Sequence, residues 1–79
     1  MTTEKIFDKI VSLIKENSEI AIHKISMSTS FQNDLGLDSM RLVGAIVAVE
    51  DSFDIEIPDN KLFKIKTVGD LVNYIEDNI

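Results

Sequence analysis

The 79-residue sequence contains no cysteine and no tryptophan, a single proline, three glycines and one histidine. Without cysteine, neither a disulfide framework nor a thiolate metal site can support the fold. With His23 as the lone imidazole, a two-histidine metal cluster is excluded and little remains for imidazole catalysis. Scarce Gly and Pro beside 44% hydrophobic residues point to a helical globular chain rather than a disordered one. Basic residues are also few, 8 against 14 acidic, for a net charge of −6. That disfavours nucleic acid, because phosphate binding needs clustered Lys and Arg to release counterions. It disfavours an anionic membrane surface too, and suits a partner with a basic patch. Long apolar runs are missing: Leu42 to Val49 is the longest uncharged one, far too short to span a bilayer. No basic start precedes an apolar run at the N-terminus, so no secretory signal is expected and a cytoplasmic address follows. This length makes one domain, 1–79, with a small core; a monomer is expected.

What is present is helical periodicity. From Thr3 to Glu16, Ile6, Phe7, Ile10, Val11, Leu13 and Ile14 recur at helical spacing, with Thr2 or Thr3 as N-cap. Asn17 to Asp38 has no sustained period. The alternation Ile20-Ala21-Ile22 hints at a strand, but nothing convincing exists to pair with it. His23 reads as a solvated loop residue. A loop this long inside a compact domain generally has a job, and its apolar residues, Phe31 among them, would peg it to the helices. Ser39 to Phe53 predicts a second helix with Leu42, Ile46, Val49 and Phe53 as its buried stripe. A second apolar row, Met40, Val43 and Val47, is either buried on the far side or exposed for a partner. Gly44 sits mid-helix, where it costs roughly 1 kcal/mol relative to Ala. Pro58-Asp59 opens a short helix holding Leu62, Phe63 and Ile65. Thr67 then caps a last helix with Val68, Leu71, Val72 and Ile75 inward; Asp70 is shorter than the Glu or Gln of a full capping box.

The chemistry converges on Ser39. It follows a loop and opens a helix, so its hydroxyl lies at the positive end of the helix dipole with free amides nearby, a backbone that tolerates a new anion. Gly36 lets the loop turn tightly before the helix. A Ser in this place also fits a plain N-cap, and the two roles are compatible. Neither Asp34 to Asp38 nor Asp51 to Asp59 has the ligand spacing of an EF-hand, and His23 has no nucleophile elbow to serve. No metal site and no catalytic residue are read.

Asp34-Leu35-Gly36-Leu37-Asp38-Ser39-Met40 resembles the attachment motif of acyl carrier proteins, D-x-G-x-D-S-L. The likeness extends through Phe53-Asp54-Ile55-Glu56-Ile57-Pro58-Asp59 and Lys64-Ile65-Lys66-Thr67-Val68-Gly69-Asp70, with Ser30-Phe31 where the family has its loop phenylalanine. The resemblance implies an all-α four-helix bundle with three longer helices, a short third helix and a long first loop. It implies a carrier with no turnover of its own, bearing 4'-phosphopantetheine from coenzyme A on Ser39. Asp38 would help engage the phosphopantetheinyl transferase. Phe31, Leu42, Ile46, Val49, Ile57, Leu62 and Ile65 match positions that line the family's acyl cavity, although a four-helix domain needs such residues in its core in any case. Acyl- or aminoacyl-loading and transferring enzymes would be the partners, meeting Met40, Arg41, Val43, Gly44, Val47, Glu50, Asp51 and Phe63.

Within that family the sequence departs from the fatty-acid branch, whose second helix is densely acidic. Arg41 and Gly44 stand at two positions usually acidic there, and Ser39 to Phe53 nets only −1. The third helix carries Lys61, Lys64 and Lys66, and its Leu62-Phe63 resembles the Leu-Phe of polyketide and nonribosomal-peptide carriers. Phe63 reads as extra core packing or as a partner contact. The expected function is to hold acyl groups as thioesters for fatty-acid, polyketide or related specialised biosynthesis. The alternatives are a D-alanyl or peptidyl carrier, or an unmodified helical interaction module.

Overall fold

The computed structural model describes residues 2–16 and 25–79. The readings of His23 and of Ile20-Ala21-Ile22 lie outside the described residues. Among the described residues four helices follow in order: α1 (Thr3–Glu16), α2 (Ser39–Phe53), α3 (Asp59–Leu62) and α4 (Val68–Asn78). This is the all-α architecture expected from the periodicity.

α1 starts where Thr2 caps it, the Lys5 N–H donating to Thr2 Oγ1 at 3.2 Å. One turn apart on the same face, Ile6, Ile10 and Ile14 are all buried, each such burial contributing about 1.5–3 kcal/mol. They pack chiefly against α4, which turns Val68, Leu71, Val72 and Ile75 inward, and also against α2. The Thr3 hydroxyl donates to Glu76, tying the start of α1 to the end of α4. α2 buries Ala45, Ile46 and Val49, while Leu42 and Phe53, at the ends of the expected stripe, are half-buried. Phe53 instead carries the Lys9 ammonium 4.8 Å above its ring, and the same ammonium donates to the Ser52 carbonyl at the end of α2. A cation there opposes the negative end of the helix dipole.

α2 stops at Asp54, which takes the left-handed conformation (φ 54°) and donates its N–H to the Glu50 carbonyl. The Glu50 carboxylate then accepts the Ile57 N–H at 2.9 Å, so one residue directs the chain out of the helix. α3 is shorter than the sequence pattern suggests. It ends at Leu62, and Ile65 is reached by a further turn closed by Lys64 N–H to Lys61 O and Ile65 N–H to Leu62 O. α4 has a full capping box: Thr67 Oγ1 accepts the Asp70 N–H at 3.1 Å and Asp70 accepts the Thr67 N–H at 3.1 Å. Asp70 reaches the cap despite its shorter side chain and also takes the Lys66 N–H at 3.0 Å. These donors, Lys66 first, hold its carboxyl below the usual value of 3.8 against the opposing effect of burial.

The long loop is pegged to the start of α4 as well as to the core. The Phe31 N–H donates to Lys66 O and the Val68 N–H to Thr29 O, around an isolated antiparallel bridge between Ser30 and Thr67. The Gly69 N–H reaches Met27 O at 2.7 Å. A Cβ at Gly69 would sit 2.7 Å from that same oxygen, so only glycine permits this approach. Phe31, Leu35 and Leu37 fill the space beneath.

Candidate functional site

The segment before α2 is built to present one residue. The Asp34 carboxylate accepts the Ser30 N–H at 2.7 Å, and the Ser30 carbonyl accepts the N–H groups of Asp34 and Leu35. Gly36 follows in the left-handed region (φ +64°), where a side chain would be strained. Leu35 and Leu37 on either side are buried, and the Leu37 N–H donates to Phe31 O at 2.9 Å. With its leucines anchored, the chain emerges at Asp38 and Ser39, both exposed.

Asp38, not Ser39, is the N-cap of α2. Its backbone is extended and its Oδ1 accepts the Arg41 N–H at 2.8 Å. Ser39 is therefore the first helical residue. Among the described residues its hydroxyl has no hydrogen-bond partner. A free hydroxyl over the positive end of a helix, beside a carboxylate fixed in place, suits attachment of an anionic group.

Ser39 opens onto a groove of about 810 Å³ between the loop, the first half of α2 and the α3 region. Phe31, Leu42, Val43, Ile46, Leu62, Phe63 and Ile65 form its apolar walls, and Ser30, Gln32, Asn33, Asp59, Lys66 and Thr67 its polar rim. A long, flexible arm with amides along its length fits such a surface, because its methylenes can lie on the walls while its amides meet the rim. Among the described residues no three His, Asp or Glu side chains gather as metal ligands, and no helix is long and apolar enough to cross a membrane.

Residues 8–75 match the family described as "Phosphopantetheine attachment site". Over 78 residues the sequence is 49% identical to an acyl carrier protein of Lactobacillus acidophilus, covering 99% of this chain and 98% of that one. The chain belongs to the acyl carrier protein family. It is thus a carrier and not an enzyme, its prosthetic group is covalent 4'-phosphopantetheine, and it works with transferases and acyl-handling enzymes.

On this carrier the site residues expected from sequence separate into groups. Five of the seven cavity candidates, Phe31, Leu42, Ile46, Leu62 and Ile65, line the groove beside Ser39. Val49 and Ile57 are buried in the core and do not reach it. Of the partner candidates, Met40, Val43 and Val47 are exposed, which resolves the open question about the second apolar row. Arg41, Gly44 and Asp51 are exposed beside them, whereas Glu50 is half-buried with its carboxylate engaged by Ile57. Phe63 is 81% exposed, so it is not extra core. Leu62 and Ile65 take the inward positions of that turn, and Phe63 between them must face out. Sequence reasoning missed the polar rim. Its members come from separate stretches of the chain, brought together where the loop docks on the start of α4 through the Ser30–Thr67 bridge and its neighbouring hydrogen bonds.

Proposed function

We infer that Ser39 is the residue that carries the phosphopantetheine arm. The observation that carries this reading is an exposed, unbonded hydroxyl at the start of α2, with Asp38 rather than Ser39 serving as cap. In the transfer, Ser39 Oγ bonds to phosphorus of coenzyme A, the adenosine bisphosphate portion leaves, and the hydroxyl proton passes to the transferase. Asp38 stays next to the acceptor as a fixed carboxylate that the transferase can recognise. When attached, the arm supplies a thiol that holds an acyl group as a thioester. Phe31, Leu42, Ile46, Leu62 and Ile65 give the arm and its cargo an apolar surface to lie on.

The cargo is an acyl group of fatty-acid, polyketide or related specialised biosynthesis, handled by a cytoplasmic, monomeric, single-domain carrier. The weakly charged outer face of α2, Met40, Arg41, Val43, Gly44, Val47 and Asp51, favours a dedicated pathway over general fatty-acid synthesis. A carrier of D-alanyl or peptidyl groups is the second reading, favoured by the exposed Phe63 next to Leu62. Incubating the purified protein with coenzyme A and a broad-specificity transferase tests the attachment. The intact mass should rise by one phosphopantetheinyl group, and Ser39→Ala should stay at the apo mass while melting normally. Modification of Ser39→Ala would overturn the assignment.

A further inference from the structure

The α3 region runs against the net charge of this acidic chain. Residues 59–66 contain three lysines and one aspartate, a net of +2, so the rest of the chain carries −8. The turn that follows α3 decides where these residues point. Leu62 and Ile65 are taken inward, and Lys61, Phe63 and Lys64 are left in solvent. An aromatic ring left 81% exposed, with exposed Lys61 and Lys64 close to it in sequence, gains nothing for folding, since its area stays in water. Exposed aromatics are favoured at the centre of interfaces, and charged side chains belong to the rim. Phe63 and Val43 also line the groove onto which Ser39 opens, so a protein seated on Phe63 reaches the arm's anchor. Lys66 is the less available cation, since its charge also helps lower the Asp70 carboxyl.

We propose that Phe63, with Lys61 and Lys64, is a docking anchor for an acyl- or aminoacyl-handling enzyme whose contact surface is an apolar pocket ringed by carboxylates. The proposal rests on Ser39 as the attachment point. The lysines steer the encounter and the ring seats in the pocket, so a partner with a basic surface is repelled from this side of the carrier. The occupant is a protein and not a lipid surface, because Phe63 lines the same groove as Ser39, whose arm has to meet an enzyme.

Holo protein, verified by mass, is offered to the loading enzymes of its own organism, and the fastest is compared on wild type, Lys61→Glu/Lys64→Glu and Phe63→Ala. All three substituted side chains are exposed, so the variants should melt like wild type, and each is brought to the holo form and verified by mass before loading. A failure of the Ser39 reading would show earlier, as a missing mass increment. The double charge reversal should lower kcat/KM roughly tenfold at low salt, an effect that fades as salt is raised. Phe63→Ala should lower it by a similar factor at every salt concentration. Loading that is unchanged or faster after charge reversal, or no loading by any enzyme, overturns the proposal. So does binding of the wild type to phosphatidylglycerol vesicles that the double variant does not share.

Discussion

Asp38 and Ser39 divide two tasks that one serine often combines. The Asp38 carboxylate satisfies the Arg41 amide, and Ser39 is left with a hydroxyl that no helix bond occupies. The two positions therefore respond differently to truncation. Asp38→Ala should lower the unfolding free energy by about 1 kcal/mol, and Ser39→Ala should change it by no more than a few tenths, as read from urea titrations. Equal losses would show that Ser39 shares the cap. Gly44 offers a contrasting case, because it is helical, exposed, and a Cβ there meets nothing within 4 Å. Gly44→Ala should accordingly raise stability by up to about 1 kcal/mol. Phe31, only 1% exposed beneath the loop, lies at the other extreme. Its replacement by Ala should cost on the order of 3–5 kcal/mol, enough to unfold so small a domain. Half-buried Phe53 should cost distinctly less in the same assay.

Each element's register was readable where local periodicity decides it. Ile6, Ile10 and Ile14 on α1 and Val68, Leu71, Val72 and Ile75 on α4 repeat at a spacing that only a helix buries on one face. The boundary of α3 was not readable in that way, since Phe63 and Ile65 look alike to a hydrophobic count. What separates them is the turn closed by the Lys64 and Ile65 amides. Asp70 was underestimated for a related reason. Its carboxylate takes the Lys66 amide as well as that of Thr67, the residue bridged to Ser30, and a side-chain length alone does not reveal that second donor. The Lys66 and Thr67 donors lower its folded pKa below 3.8. The group therefore contributes stability that is fully present above 3.8 and is lost as pH falls through the lower, folded value. Asp70→Asn should be less stable than wild type near neutrality, and the gap should narrow in titrations at about pH 3. A gap independent of pH would mean that the carboxylate's charge contributes nothing.

For the whole molecule, the residue proposed for attachment stands out because its signal is local, a glycine turn and an acidic cap ahead of a helix. The groove was not, because Asn33, Asp59 and Lys66 meet only after the loop docks on α4. Nor could apolar periodicity separate a wall of that groove from the core. Val49 and Ile57 share the pattern of Ile46 and Leu62 but lie beneath the groove. The fold thus places the exposed Ser39 hydroxyl at the mouth of an apolar trough and commits the neighbouring carboxylates, Asp34 and Asp38, to shaping the backbone that presents it. The most direct test is fragmentation mass spectrometry of the protein after transfer from coenzyme A. The phosphopantetheinyl increment should reside on the fragment containing Ser39 and on no other. An increment on Ser26, Ser28 or Ser30 of the loop, or none with several transferases, would contradict the account.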